Sequence, residues 1–292
     1  MKLAFLILGH RFPEQIIRLI ETLRIPDAIF VVHIDRRADE SVMSPLVTYA
    51  KACGDIHLAA RQRCYWGQYG IAQATIECMH TLLAQGGEFD YAMLLSGSDY
   101  PIKTMAEIVS FLEANKGREF IEAFALAKPN RWSDGGGMFQ ALARVKYWTI
   151  NIRSHSFQLK LKRSFYGGWE PHGGSQWWTF SREAVVWMVD YLRANPALAR
   201  YFKFVFIPDE SLFQSMIANS PFQSQIYNDD LRYIDWERPN PMYPRTLDDE
   251  DFDRLAASPK LFARKLEPER SKGLLDRLDR ELLRSNLTAE RR

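Results

Sequence analysis

No apolar run in this chain approaches the roughly 18–20 residues a membrane span requires; the opening run at residues 3–8 stops at His10 and Arg11. Neither a signal peptide nor a transmembrane anchor is therefore expected, and the protein reads as cytoplasmic. Cysteine is scarce: Cys53, Cys64 and Cys78 are an odd number with neither metal-ligand spacing nor a CxxC pair, so reduced thiols are expected. An overall excess of either charge is nearly absent, with 38 Lys or Arg against 36 Asp or Glu and a net charge of +2. The chain also lacks an H-E-x-x-H pair, a catalytic Ser/His/Asp spacing and any internal repeat, and Gly135, Gly136 and Gly137 form neither a Walker loop nor a dinucleotide fingerprint. The histidines, at 10, 33, 57, 80, 155 and 172, are too scattered to suggest a metal. These absences remove zinc peptidases, P-loop enzymes and serine hydrolases from consideration.

What remains is the balance of an ordinary globular protein, 292 residues with 47% hydrophobic and 25% charged side chains. The charge is unevenly spread: residues 128–163 carry eight Lys or Arg against the single acid Asp134, a local +7, interleaved with Trp132, Phe139, Tyr147, Trp148 and Phe157. That composition suits an anionic or sugar-bearing partner, nucleic acid among them, and equally a solvated basic face whose aromatics turn to the core.

The N-terminal half alternates β-rich runs with helical patterns, the signature of a mostly parallel sheet covered by helices. Strands are expected at 3–8, 28–34 and 91–95, and helices at 13–23, 68–83 and 105–114; Pro13 sits at the start of the first helix, with Ile16, Ile17, Leu19, Ile20 and Leu23 at helical spacing. Residues 130–169 read as a loop-rich basic insertion. Regular structure resumes with strands at 175–180, 204–207 and 231–235 and helices at 182–192 and 209–218, followed by a crossing through Pro239, Pro241 and Pro244. Leu274, Leu278 and Leu282 at four-residue spacing make residues 274–287 an amphipathic, basic helix, suited to core packing or to a membrane surface. The organisation expected is one domain over 1–270, with a nucleotide-binding half at 1–125, an acceptor-binding and catalytic half at 126–270, and a tail at 271–292.

In an open α/β sheet, ligands bind beyond the carboxyl ends of the strands. The residues to inspect are thus Gly9, His10 and Arg11 after the first strand, Asp35, Arg36 and Arg37 after the second, and Ser96, Gly97, Ser98, Asp99, Tyr100 and Pro101 after the strand at 91–95. Asp209 and Glu210 open the helix after residues 204–207. An acid at a helix start usually caps it, which is the structural alternative for Asp209. Glu210, held at a pocket rim, can accept a proton from an attacking hydroxyl.

Taken in order, ILGH at 7–10, HIDRR at 33–37, YWGQYG at 65–70, LLSGSDYPIKT at 94–104, GSQWWTFSRE at 174–183, FIPDESLFQ at 206–214 and FARKL at 262–266 resemble the core-2/I-branching family. That family contains β-1,6-N-acetylglucosaminyltransferases and peptide O-xylosyltransferases, and the resemblance spans residues 3–266. It implies a GT-A-type, Rossmann-like fold without the usual metal-binding D-x-D triplet, and Ser96, Gly97 and Ser98 followed by Asp99 stand where that triplet would be. It implies an inverting transfer of GlcNAc or xylose from a UDP-sugar, with no metal cofactor. Glu210 of the PDE motif is the implied base, and Arg232 and Lys265 the implied cations for the diphosphate; surface salt bridges are the alternative for both. Asp35 is implied near the uracil, with His10, Arg11 and the stretch at 65–68 on the nucleotide side, Trp66 serving either in packing or in contact. Gln176 and Trp177 are expected to line the sugar and acceptor cleft with Asp209 nearby, Trp178 to lie in the core, and Glu122 is a candidate to hold acceptor hydroxyls.

The acceptor implied is a glycan or lipid-linked oligosaccharide, as in a capsule or exopolysaccharide, and the basic segments suggest peripheral membrane association; no nucleic acid is expected as partner. A catalytically silent carbohydrate- or nucleotide-sugar-binding protein on the same scaffold is the competing reading.

Overall fold

The computed structural model describes residues 1–236 and 243–283. The chain runs through β1 (Leu3–Gly9), α1 (Pro13–Leu23), β2 (Ile29–Ile34), α2 (Glu40–Ala52), β3 (Ile56–Leu58), α3 (Tyr69–Ala84), β4 (Tyr91–Ser96), β5 (Tyr100–Pro101) and α4 (Met105–Ala114). It continues with β6 (Glu119–Ile121), β7 (Phe124–Ala125), α5 (Ala141–Lys146), β8 (Tyr147–Ile152), β9 (His155–Lys162), β10 (His172–Gly173), β11 (Trp178–Ser181), α6 (Arg182–Ala194) and α7 (Pro196–Phe202). The last elements are α8 (Leu212–Ala218), β12 (Ile226–Tyr227), β13 (Arg232–Ile234), α9 (Phe252–Ala257), β14 (Phe262–Arg264) and α10 (Pro268–Glu281).

Seven strands form the main sheet in the order β12-β6-β11-β4-β1-β2-β3. The run β4-β1-β2-β3 is parallel, β12 is parallel to β6, and only β11 opposes its neighbours. The α/β class and the mostly parallel, Rossmann-type sheet of a GT-A-like fold are therefore both present. β1 is apolar throughout because it is central and helices cover both faces. Its alternating side chains feed two cores: Leu3, Phe5 and Ile7 pack with α1, α2, α4 and α10, whereas Ala4 and Leu6 pack with α3, α6 and α8. α1 starts on Pro13, whose missing N–H costs nothing at a helix start, and α4 is fixed by a capping box between Thr104 and Glu107.

A second sheet, β13-β14-β5, positions the FARKL motif. β14 lies antiparallel to β5, which directly follows the turn after β4, and the Leu266 amide donates to the Ser98 carbonyl at 2.9 Å. The cations of residues 264 and 265 are thereby laid over the carboxyl end of β4.

Several elements differ from expectation. Residues 204–207 form no strand; Phe204 and Val205 donate back to Tyr201 and Phe202 in turns, and Ile207 sits at φ 50°, a left-handed conformation that a β-branched residue adopts only when its surroundings impose it. The helix expected from Asp209 begins as a 3-10 turn, Pro208–Glu210, with α8 starting only at Leu212. The insertion at 130–169 is more regular than loop-rich, since it contains α5 and the antiparallel β8–β9 hairpin. α2 and β3 extend the sheet's cover where no element was expected. α10 buries Leu274, Leu275 and Leu278 in the first core, so its apolar stripe packs inward. Leu287, Pro239 and Pro241 lie outside the described residues. Among the described residues no helix is long and apolar enough to cross a membrane.

Candidate functional site

The carboxyl ends of β1, β2 and β4 open into a cleft of about 1230 Å³. That exceeds the ~300–1,000 Å³ of a typical single-ligand pocket and leaves room for two substrates side by side. His10, Arg11, Asp35, Trp66 and Ser96 line its sheet-end wall; Glu122, Gln176, Trp177, Asp209 and Glu210 line the other side; Arg232 and Lys265 reach it from the small sheet. Asp99, the acid singled out after β4, is missing from the wall. It is wholly buried behind it, accepting a short hydrogen bond from the Ser96 amide and lying 3.6 Å from the Arg264 guanidinium.

The local backbone explains the motif glycines at two points. A Cβ on Gly174 would stand 1.9 Å from the Glu122 carbonyl oxygen, so only glycine lets the GSQWW segment lie against β6's end. This close approach lets the Gly174 amide bond the Glu210 carbonyl at 3.0 Å and the Ser175 amide bond the Glu122 carboxylate at 2.8 Å. Gly67 has φ 75°, and its carbonyl accepts from the strained Ile207 amide at 3.0 Å, tying the YWGQYG turn to the PDE turn.

Glu210 is partly exposed, and one carboxylate oxygen accepts from Arg144 Nη1 at 2.7 Å. Arg144 is 7% exposed in its side chain and stacks on Trp132 at 3.8 Å. Burial drives its guanidinium below the ordinary value while the Glu210 charge pulls it back. The neighbouring Asp209 is 4% exposed with one oxygen unpartnered, and it makes no helix-capping bond. Burial, and after it the Glu210 charge, push its carboxyl up to about 7. The two adjacent acids thus sit in different environments, one paired with a cation and one buried so that its neutral form is favoured.

That difference links stability to pH. Because the folded value of Asp209 lies above the ordinary 3.8, its proton stabilises the fold fully below about pH 4, and this contribution is lost as pH rises through about 7. Asp209→Asn keeps a neutral side chain at every pH. Urea unfolding of both proteins at about pH 5 and about pH 8 should show the variant gaining more than about 1 kcal/mol on the parent over that interval. Glu119, pushed up to about 7 by burial, acts in the same direction in both proteins and cancels. A difference that does not change with pH would mean that Asp209 ionises as an ordinary carboxylate.

The cations fall into two groups. Arg232 is 3% exposed and committed to backbone, donating to the Leu94 carbonyl at 2.6 Å and to the Asp230 carbonyl. Arg264, which the sequence reading passed over in favour of its neighbour, stacks on Trp177 at 4.3 Å and reaches the Ser96 hydroxyl at only 3.3 Å, so its donors are less committed. Lys265 follows it and pairs with Glu267 at 2.9 Å, as does Arg11 at 2.6 Å. On the nucleotide side Asp35 accepts from the Arg37 amide at 2.8 Å and from the Cys64 amide at 3.3 Å. Trp66 is 42% exposed, in ring contact with Phe139, Phe206 and Tyr243. Glu122 is bonded by Arg131 at 2.6 Å, and Trp178 is buried in the core, stacked on Phe180. Among the described residues no three His, Cys, Asp or Glu side chains gather as a metal site.

Arg144, Arg131, Trp132 and Arg264 also line the cleft and were missed as site residues, while Arg37, marked for inspection after the second strand, lines it too. Arg264 was visible inside FARKL and Arg37 inside HIDRR. Arg144 carried no signal beyond membership of the basic segment.

A family model described as Core-2/I-Branching enzyme matches residues 3–256. Among curated proteins, the chain is 26% identical over 300 residues to xylosyltransferase oxt of Drosophila melanogaster, covering 96% of this chain and 33% of the relative. It is 26% identical over 305 residues to xylosyltransferase 2 of Rattus norvegicus and to xylosyltransferase 2 of Homo sapiens, with the same coverage. The chain thus spans about a third of the length of the curated relatives it matches.

Proposed function

This chain belongs to the Core-2/I-branching enzyme family, and from that premise we propose that it is an inverting, metal-independent glycosyltransferase acting on a UDP-sugar. The carrying observation is the convergence on one cleft of a carboxylate oriented by a buried arginine, Glu210 on Arg144, with the cations Arg264 and Lys265. In the proposed reaction the acceptor hydroxyl gives its proton to Glu210 as its oxygen bonds the anomeric carbon. The bond from that carbon to the β-phosphate oxygen breaks, and UDP departs with the electron pair. Negative charge grows on the diphosphate in that step, so fixed cations stabilise the transition state more than the bound donor. Asp209, whose burial favours the neutral carboxyl, suits a hydrogen bond to a sugar hydroxyl better than a proton-abstraction role.

Because the relatives are named xylosyltransferases, UDP-xylose is the donor to test first, ahead of UDP-GlcNAc. A glycan or lipid-linked oligosaccharide is the acceptor class proposed, and the flat face of Trp177 beside Gln176 suits a sugar ring. Calorimetric titration of UDP, UDP-xylose and UDP-GlcNAc with EDTA present tests the reading. Saturable binding unaltered by added Mn²⁺ is expected. Binding only after Mn²⁺ is supplied would replace the cation scheme with a metal, and no binding of any of the three would end the UDP-sugar assignment.

A further inference from the structure

The β8–β9 hairpin stands on the protein surface with its apolar side uncovered. Eleven large hydrophobic side chains are exposed among the described residues, and five of them sit on this hairpin: Trp148, Ile150, Ile152, Phe157 and Leu161, the last at 63%. Strand alternation puts Trp148, Ile150 and Ile152 on one side, while Thr149 between them is fully buried against the body of the protein. Ile150 faces Phe157 across the ladder, which continues the apolar stripe onto β9, and exposed Phe204 adds to it through an edge contact with Trp148 at 5.0 Å.

The charge around this stripe is of one sign. Residues 135–169 contain Arg144, Lys146, Arg153, Lys160, Lys162 and Arg163 and no acid. Arg153, Lys160 and Lys162 are exposed and in no ion pair among the described residues. Surface lysines and arginines elsewhere on the molecule commonly find a carboxylate, as Arg270 does with Asp248 and Lys260 with Asp229. An apolar stripe edged by unneutralised cations matches the boundary of an anionic bilayer, where the rings and aliphatic chains enter the headgroup layer and the cations meet lipid phosphates.

We propose that the β8–β9 hairpin docks the protein on an anionic lipid bilayer through Trp148, Ile150, Ile152, Phe157 and Leu161, with Arg153, Lys160 and Lys162 binding the headgroups. The hairpin is fixed to the body: Gln68 Nε2 donates to the Arg153 carbonyl at 2.8 Å, and Arg163 donates to the carbonyls of Val145, Tyr201 and Phe204. Gln68 closes the turn that carries Trp66, and α5 just before the hairpin carries Arg144, so docking sets the cleft beside the membrane surface. The inference stands on the hairpin alone and is independent of the reaction assigned to the cleft.

Vesicle flotation with the full chain tests it, using phosphatidylcholine vesicles with and without phosphatidylglycerol. The protein is expected to float with the anionic vesicles, to stay behind with pure phosphatidylcholine, and to be released by salt. Two exposed-residue variants, I152S/F157S and K160E/K162E, should each reduce binding by about tenfold or more with unchanged thermal melting. Absence of flotation, or equal binding to both vesicle types, would overturn the proposal. So would a dimer in light scattering that I152S/F157S converts to monomer without any lipid binding, since the stripe would then be a self-interface.

Discussion

Glu210→Gln is expected to lower sugar transfer by roughly 10²- to 10⁴-fold, the usual contribution of a positioned general base, while UDP binding stays within about twofold. The amide is nearly isosteric and keeps an oxygen for Arg144 Nη1, which now bonds the carboxylate at 2.7 Å, so the side chain should hold its place. What it loses is the capacity to take the acceptor's proton. The substitution also removes the negative charge that helps hold the Asp209 proton, so Asp209 should ionise at lower pH in the variant. If Asp209 were the base, the variant would therefore keep its turnover and extend it to lower pH. Steady-state kinetics across pH, with calorimetry of UDP alongside, separates the outcomes: lost turnover at preserved affinity assigns the base to Glu210, and unchanged turnover removes it. UDP binding by the parent with no detectable transfer to any acceptor would favour a silent binding protein.

How much of this arrangement could be read beforehand depended on whether the determining contacts were local. α1 and α4 were legible to the residue because Pro13 and the Thr104–Glu107 pair mark their starts and an apolar period follows each. β1 was legible as a wholly apolar run. α2 was not, because Pro45 falls inside it and a proline within a helical pattern argues for a break. Residues 204–207 looked like a strand for the opposite reason, an apolar run in which Val205, Phe206 and Ile207 are buried by tertiary contacts and the chain is bent at Ile207 ahead of Pro208. The site followed the same division. Residues placed by a strand end, such as His10, Asp35 and Ser96, were found from position alone. The pairing of Arg144 with Glu210 joins positions 66 apart and is made by the fold, so the basic segment offered no reason to prefer that arginine. Choosing among Arg232, Arg264 and Lys265 required knowing which guanidinium had already given its donors to carbonyls.

That choice gives the second large effect. Arg264→Ala should weaken UDP binding by about 10- to 100-fold, about 1.4–2.8 kcal/mol, whereas Arg232→Ala should act mainly on stability. The Arg264 side chain is 15% exposed, lines the cleft, stacks on Trp177, and among its polar contacts has a 3.3 Å contact with a hydroxyl and a 3.6 Å approach to Asp99. A diphosphate entering the cleft therefore meets donors with little to give up. Arg232 holds the Leu94 and Asp230 carbonyls with both terminal nitrogens inside a buried site, and turning those nitrogens to a phosphate would cost both bonds. Alanine at 264 also leaves the buried Asp99 carboxylate with Arg232 but without the Arg264 charge, a defect that can destabilise the fold by itself. Arg264→Lys controls for this: it keeps a charge near Asp99 but offers a point contact in place of a planar fork, so affinity should fall less than in the alanine variant and melting should barely move. Calorimetry with EDTA present and thermal melting of all three variants checks the set. Loss of UDP binding in Arg232→Ala at unchanged melting, with Arg264→Ala binding normally, would reverse the assignment and make the carbonyl-bound arginine the one that swings to the phosphates.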